Sequence, residues 1–243
     1  MKRKDDSLRR KANPERINNT LLGGLETRVV HWFVDIAPDW VTPDTMTLIG
    51  MVGSICILAG YILTNRSPWF LWLASFGFFL NWFGDSTDGN MARLRHIERP
   101  RYGYFVDHLL DTITMLMVFL GIGFTPYVRM DVALLTLIAY LMMNIYVYVN
   151  TQVNKKFQLS FAMLGPTEGR LMFVIANTFM FFFDFPTVAL FGFEFSYFDL
   201  YFIAWMVFLY WLFFSNVVKG IIKLYKEDPP KKFVSRKPKS VKK

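Results

Sequence analysis

The sequence predicts an all-α integral membrane protein, with six transmembrane helices preceded by an amphipathic helix on the cytosolic surface and both termini cytosolic. Three observations predict it. Of the 243 residues, 53% are hydrophobic and 18% aromatic, with a mean hydropathy of +0.30, a balance of membrane-embedded rather than globular chains. Six apolar runs approach the roughly 20 residues needed to cross a bilayer's hydrocarbon. Basic residues gather at alternate connections between those runs, as the positive-inside rule requires.

Residues 1–45 form a basic N-terminal segment. The start "MKRKDDSLRRKANPER" is followed by a mixed stretch, not an apolar run, so no signal peptide is expected and the N-terminus stays on the side where it is made. Within "INNTLLGGLETRVVHWFVDIAPDW" apolar residues recur at near-helical spacing, broken by Glu26 and Arg28, with Trp32 and Trp40 placed as interface anchors. The reading is a helix on the cytosolic surface; an arm docked on the protein's own body is the alternative.

Residues 46–224 form the membrane domain, with spans expected over 46–64, 69–91, 103–124, 132–150, 170–185 and 199–221. The fifth is interrupted by Asp184 and Pro186, and "FPTVALFGFEFSYFD" after it is apolar enough to lie in the interface. With six spans the cytosolic side holds Lys2, Arg3, Lys4, Arg9, Arg10, Lys11, Arg16 and Arg28. It also holds Arg93, Arg95, Arg99 and Arg101, then Lys155, Lys156 and Arg170, and the tail from Lys219, leaving Arg66 and Arg129 opposite. Residues 225–243 read as a basic disordered tail, attracted to anionic lipid by its charge and broken by paired prolines. A net charge of +8 confined to segments that flank apolar runs fits a cytosolic membrane face and argues against nucleic acid. The single cysteine, Cys56, lies inside an apolar run, so no intramolecular disulfide exists and its role is packing.

Between the second and third runs lies "FGDSTDGNMARLRHIERPRYGYFVDHLLDTI". Asp85 and Asp88 stand three apart, one helical turn, and Asp107 and Asp111 stand four apart on the next helix. Because consecutive spans run antiparallel, both pairs reach the same cytosolic end. Carboxylates converging in a confined space repel unless a strong positive charge sits among them. Hard oxygen ligands suit Mg²⁺, Mn²⁺ or Ca²⁺, and no Cys or His set of zinc spacing exists. The missing partner is a divalent cation, in all two of them. Ordinary ion pairs with Arg93, Arg95 or Arg101 explain one such aspartate more readily than four at these spacings. Gly89, Ala92 and Gly103 leave room for a ligand to approach.

These residues spell D-x-x-D-G-x-x-A-R-x9-G-x-x-x-D-x-x-x-D, which resembles the signature of the CDP-alcohol phosphotransferases. The motif covers about a ninth of the chain, and the six spans and preceding surface helix look like that family's architecture. "VTPDTMT" is similar to the family's P-N-x-x-T: Pro43 and Thr47 match, whereas Asp44 replaces the usual Asn and weakens any nucleotide role for that position.

The resemblance implies metal-dependent transfer of a phosphoalcohol from a CDP-activated donor to a hydroxyl acceptor in phospholipid biosynthesis, with release of CMP. The donor would be CDP-diacylglycerol or CDP-choline/ethanolamine. It implies Mg²⁺ or Mn²⁺ held by Asp85, Asp88, Asp107 and Asp111, with Asp111 as the base; on physics alone Asp111 is equally a fourth ligand. Thr47, Gly89, Ala92, Arg93 and Gly103 fall on the nucleotide side, and Arg93 is also placed to anchor lipid phosphate. Lys155, Lys156, Glu168 and Arg170, around "GPTEG", are acceptor candidates with Thr167, and His108 beside Asp107 either orients a ligand or faces the surface. Relatives of this kind are commonly homodimers, and Gly50, Gly53 and Gly60 offer a close-packing face. The active site is expected to face the cytosol, in the cell membrane of a bacterium or archaeon or the endoplasmic reticulum of a eukaryote. A transporter using the same acids, or an ion-binding scaffold, is the competing class. Transport predicts acids at the bilayer midplane and repeats that the sequence lacks.

Overall fold

A computed structural model describes residues 15–17, 22–154, 156–158, 165–183, 186–190 and 192–230. Most of the described chain is helical: α1 (Gly23–Ile36), α2 (Pro43–Leu63), α3 (Phe70–Leu94), α4 (Pro100–Gly123), α5 (Met130–Asn154), α6 (Pro166–Phe182) and α7 (Tyr197–Glu227). Four of these, α2, α4, α5 and α7, are long and apolar enough to cross a membrane, and the protein is an integral membrane protein. α3 carries Asp85, Asp88 and Arg93 in its second half, and α6 has only 17 residues with Glu168 and Arg170 in its first turns. Charge dilutes the apolar signal in α3, and short length weakens it in α6.

The helix ends follow from local chemistry. α2 begins at Pro43, three residues before the apolar run, because Thr42 accepts a hydrogen bond from Thr45 N at 3.2 Å and proline suits the first helical position. α6 begins at Pro166 because Glu168 reaches back to the backbone N–H of Gly165 at 3.0 Å. The apolar loop beyond α6 contains a short antiparallel ribbon, β3 (Val188–Leu190) with β4 (Phe193–Phe195), turned at Gly192 with φ +82°. α7 then starts on a reciprocal cap: Ser196 Oγ accepts from Asp199 N at 2.9 Å and Asp199 Oδ2 accepts from Ser196 N at 2.8 Å. The other Asp199 oxygen accepts from Arg129 N at 2.7 Å, which ties the entry of α5 to α7. A parallel pair joins β1 (Glu15–Ile17) to β2 (Lys156–Gln158). The tail beyond residue 230 lies outside the described residues.

Among the described residues two apolar cores result. The larger gathers Ile57, Tyr61, Leu71, Phe78, Phe119 and Phe202 from α2, α3, α4 and α7. It is crossed by a polar chain in which Tyr61 OH donates to Asn177 Oδ1 at 2.9 Å and Asn177 Nδ2 to Ser75 Oγ at 3.1 Å. The smaller packs Val30, Val34 and Ala37 against Met46 and Met91, so α1 docks on the protein's own body, chiefly α3. Its outer side keeps Leu25, Val29, Trp32 and Ile36 exposed at intervals of four, three and four residues, a second apolar stripe. Arg95, past the end of α3, locks the α1–α2 connection by donating to Ala37 O and Val41 O, each at 2.7 Å.

The α2 glycines are used inside the chain, which corrects their reading as a dimer face. A side chain carbon on Gly53 would stand 2.5 Å from Asn81 N, and one on Gly60 2.5 Å from Ala74 N. From α3, one on Gly84 would stand 2.4 Å from both Met46 O and Gly50 N. The backbones of α2 and α3 are in contact, as small-residue stripes in lipid allow. Since the obstacles to Gly84→Ala are backbone atoms, the variant must separate the helices. We expect a loss of about 1–3 kcal/mol, read as a lower unfolding midpoint in detergent, with function impaired because Asp85 is the next residue.

Candidate functional site

α2 packs against both α3 and α4 and so brings four acids to one end of the bundle. α3 presents Asp85 and Asp88, and α4, returning alongside, presents Asp107 and Asp111. One oxygen from each of Asp85, Asp107 and Asp111 falls within a mutual distance of 4.8 Å. Asp88 lines the same cavity with Thr47, Asn81 and Thr114. Its Oδ2 accepts from Thr47 Oγ1 at 2.7 Å and its Oδ1 takes the N–H of Gly89. Thr47, expected on the nucleotide side, therefore touches an acid of the cluster.

The geometry can be tested against a divalent cation. With oxygens about 2.1 Å from an octahedral ion, neighbouring ligands lie about 3 Å apart and opposite ones about 4.2 Å. A trio already within 4.8 Å needs only small side-chain adjustments to fit. All-oxygen donors of full negative charge are the chemistry Mg²⁺ and Mn²⁺ take.

One cation is built in. Arg170 of α6 is 5% exposed and donates from one terminal nitrogen to Asp85 Oδ2 at 2.7 Å, with Asp111 Oδ1 3.9 Å away. Its Nε donates to Asn81 Oδ1 at 2.7 Å. Asn81 is held in turn, since its amide donates to Gly50 O at 3.2 Å and Ser54 Oγ at 3.1 Å, and Ser54 shares a 2.8 Å hydrogen bond with Thr114. The guanidinium is thus fixed from behind and engages Asp85 in front. Arg170, expected among acceptor contacts, lies inside the acid cluster.

The other expected residues are distributed more widely. Arg93 is exposed, donates to Asn90 Oδ1 at 2.9 Å and lies alongside Gly89. Gly103, in the first turns of α4, has open space where a side chain would begin. Ala92 is half-buried and its carbonyl accepts from Ile97 N at 3.0 Å, closing the end of α3. Asp44, the departure from the expected motif, pairs with Arg99. Glu168 is buried, with one oxygen accepting from Leu22 N and the other from Gly165 N, each at 3.0 Å. Lys155 lies outside the described residues, and Lys156 is described only by its place in β2. His108 is packed between the rings of Tyr104 and Tyr148, centroids 4.0 and 5.2 Å away, with Nδ1 3.2 Å from Asp107 Oδ2, rather than on an open surface.

Sequence reasoning missed Asn81, Ser54 and Thr114 behind the acids, although Asn81 stands one turn before Asp85 and so shares its helical face. It also missed Glu26, read only as a charge interrupting an apolar pattern. Glu26 accepts from Ser86 Oγ at 2.6 Å and from Thr167 Oγ1 at 2.7 Å, contacts across 60 and 141 residues that no local spacing signals.

Known proteins are similar to this chain in sequence. The profile of the CDP-alcohol phosphatidyltransferase family matches residues 40–214. Cholinephosphotransferase 1 of Danio rerio is 32% identical over 99 residues, 37% of this chain and 25% of that protein, and its Xenopus laevis counterpart 34% over 97 residues, 37% of this chain and 24% of that protein. Phosphatidylinositol phosphate synthase of Cutibacterium acnes is 37% identical over 90 residues, 34% of this chain and 38% of that protein. The matched stretch thus spans about a quarter of the cholinephosphotransferases' length. On the extent of the profile match, the chain belongs to the CDP-alcohol phosphatidyltransferase family.

Proposed function

We propose that the protein is a CDP-alcohol phosphotransferase of phospholipid biosynthesis, transferring a phosphoalcohol from a CDP-activated donor to a hydroxyl acceptor and releasing CMP. The observation that carries the reading is the meeting of Asp85, Asp107 and Asp111 oxygens within 4.8 Å, with Asp88 on the same cavity, inside a chain of this family.

Asp85, Asp88 and Asp107 would hold Mg²⁺ or Mn²⁺, with Asp111 at the edge of the set. Bound cations supply charge neutralisation for the diphosphate and for the negative charge that grows on the departing CMP. The chain's own residues do the rest. Arg170 offsets part of the acids' mutual repulsion and orients Asp85, and Thr47 holds Asp88. The side chain of Asp111 is 38% exposed, against 26% for Asp85 and 30% for Asp107, so it is the carboxylate best placed to meet an acceptor hydroxyl. As the acceptor oxygen bonds to the phosphorus bearing the alcohol, the bond from that phosphorus to the CMP oxygen breaks. CMP takes the electron pair and Asp111 takes the hydroxyl proton. Gly89, Ala92, Arg93 and Gly103 flank the approach of the nucleotide.

Of the two donor classes we favour a CDP-aminoalcohol with a lipid hydroxyl acceptor. Arg170, the one acceptor candidate found beside the acids among the described residues, is already engaged by Asp85 and Asn81, which leaves it less free to take the phosphate of a phosphorylated acceptor. The setting we infer has six spans, α2 to α7, termini and site on the cytosolic side, and α1 resting its exposed stripe in the interface. A homodimer would have to use a face other than the α2 glycines.

The test is incubation of the purified chain with Mg²⁺ or Mn²⁺ and a matrix of CDP-choline, CDP-ethanolamine and CDP-diacylglycerol against diacylglycerol, glycerol phosphate, serine and inositol phosphate. CMP and lipid product should appear in equal amounts with one pairing and vanish with chelator. No CMP from any pairing would contradict the proposal.

A further inference from the structure

Glu26, in the first turn of α1, stands where three helices meet. Its Oε1 accepts from Ser86 Oγ at 2.6 Å and its Oε2 from Thr167 Oγ1 at 2.7 Å. Ser86 sits on α3 directly after Asp85, and Thr167 sits on α6 one turn before Arg170. Both hydroxyls point at one carboxylate, and a carboxylate accepts on both oxygens at once. The same end of α1 is fastened to α6 a second time, through Leu22 N and Glu168 Oε1 at 3.0 Å. On α3 the bonded stretch continues: Ser86 O accepts from Asn90 Nδ2 at 2.7 Å, and Asn90 Oδ1 accepts from Arg93.

The consequence lies in what those two helices carry. Asp85 of α3 and Arg170 of α6 are bonded at 2.7 Å, so the spacing of α3 and α6 decides how Asp85 is turned toward the other acids. We propose that Glu26 is a positioning residue for the cation site, holding α3 and α6 at the separation in which Asp85 shares one oxygen with Arg170 and keeps the other for a divalent ion. The proposal rests on the metal-site reading above. It assigns to α1 a function beyond covering the bundle, because the helix that docks on α3 also sets its distance from α6. A mere staple for the fold would stabilise the protein without altering how tightly the acids hold an ion. Outer groups that orient metal ligands change metal affinity about 10–100-fold when removed.

The experiment titrates Mn²⁺ alone into the full-length protein in detergent, following free Mn²⁺ by electron paramagnetic resonance, for wild type, Glu26→Ala, Ser86→Ala and Thr167→Val. Unfolding midpoints are measured on the same samples with chelator. We expect Glu26→Ala to weaken Mn²⁺ binding about tenfold or more, and each hydroxyl deletion to weaken it by a smaller factor, at midpoints close to wild type. Glu26→Ala combined with Thr167→Val should weaken binding little beyond Glu26→Ala alone, because Glu26→Ala already removes the Thr167 bond. If Glu26→Ala does not fold, the two hydroxyl variants carry the test. Mn²⁺ affinities within twofold of wild type in every folded variant, with only the midpoints lowered, would overturn the proposal. Wild type that binds no Mn²⁺ overturns the metal-site reading itself, and this inference with it, a result distinct from the first.

Discussion

Asp107→Asn is expected to abolish CMP release, by on the order of a thousandfold, while leaving the metal-free protein as stable as wild type or more so. Asn keeps the shape and one oxygen of the side chain but removes its charge. In the folded chain Asp107 faces Asp85 and Asp111 with oxygens inside 4.8 Å, and Arg170 serves Asp85 without an ion pair to Asp107. Removing this charge relieves repulsion and leaves no buried cation without a partner. Cation binding suffers for the same reason, since a neutral amide is a weaker ligand for Mg²⁺ or Mn²⁺ than a carboxylate. Wild type should therefore gain thermal stability on adding Mn²⁺ and the variant little, by the ordinary linkage of binding to folding. A scaffold whose acids served only as ion-pair partners would behave oppositely, losing stability without cation dependence. The measurement is a pair of melting curves, with chelator and with Mn²⁺, beside a CMP-release assay.

Arg170→Leu has the largest expected effect on folding. Arg170 is 5% exposed and supplies hydrogen bonds to both Asp85 and Asn81. Truncating it strands a carboxylate and an amide oxygen in the bundle, and breaking a buried pair from one side destabilises by about 3–5 kcal/mol. Part of that loss should return when Mn²⁺ is added, because a divalent cation can neutralise Asp85 where the guanidinium no longer does. Arg170→Lys should recover less than its charge suggests, since a single ammonium cannot serve the diverging Asn81 and Asp85 contacts as the planar fork does. Denaturation in detergent with and without Mn²⁺ measures both effects. A loss below about 1 kcal/mol, the scale of an exposed ion pair, would show that Arg170 is not a buried counter-charge.

The acid quartet was legible in the sequence because its logic is local. Spacings of three and four put each pair on one helical face, and antiparallel neighbours bring the faces to the same end. The helix before the first span was legible from its periodicity, and the structure adds that one apolar stripe is spent on α3 while a second stays exposed. The glycines of α2 announced a close approach, but a stripe of small residues does not name its partner, and here that partner is Gly77, Ala74 and Gly84 of α3. Arg170 was legible as a cation near the site, not as a member of it, because its bonds to Asn81 and Asp85 span 89 and 85 residues. Glu26 was the least legible. Its only local context was an apolar pattern that it interrupts, and its two hydroxyl partners come from helices distant in the chain. The β3–β4 ribbon escaped because strands of three residues are too short for an alternation to register, even with Glu194 between Phe193 and Phe195.

Anomalous diffraction from crystals grown with Mn²⁺ and a CDP-alcohol tests the central claim most directly. The account predicts Mn²⁺ density among the Asp85, Asp88, Asp107 and Asp111 carboxylates, about 2.1–2.2 Å from their oxygens, beside the diphosphate and with Arg170 still on Asp85. Density for Mn²⁺ elsewhere, or none while the nucleotide is bound, would contradict it.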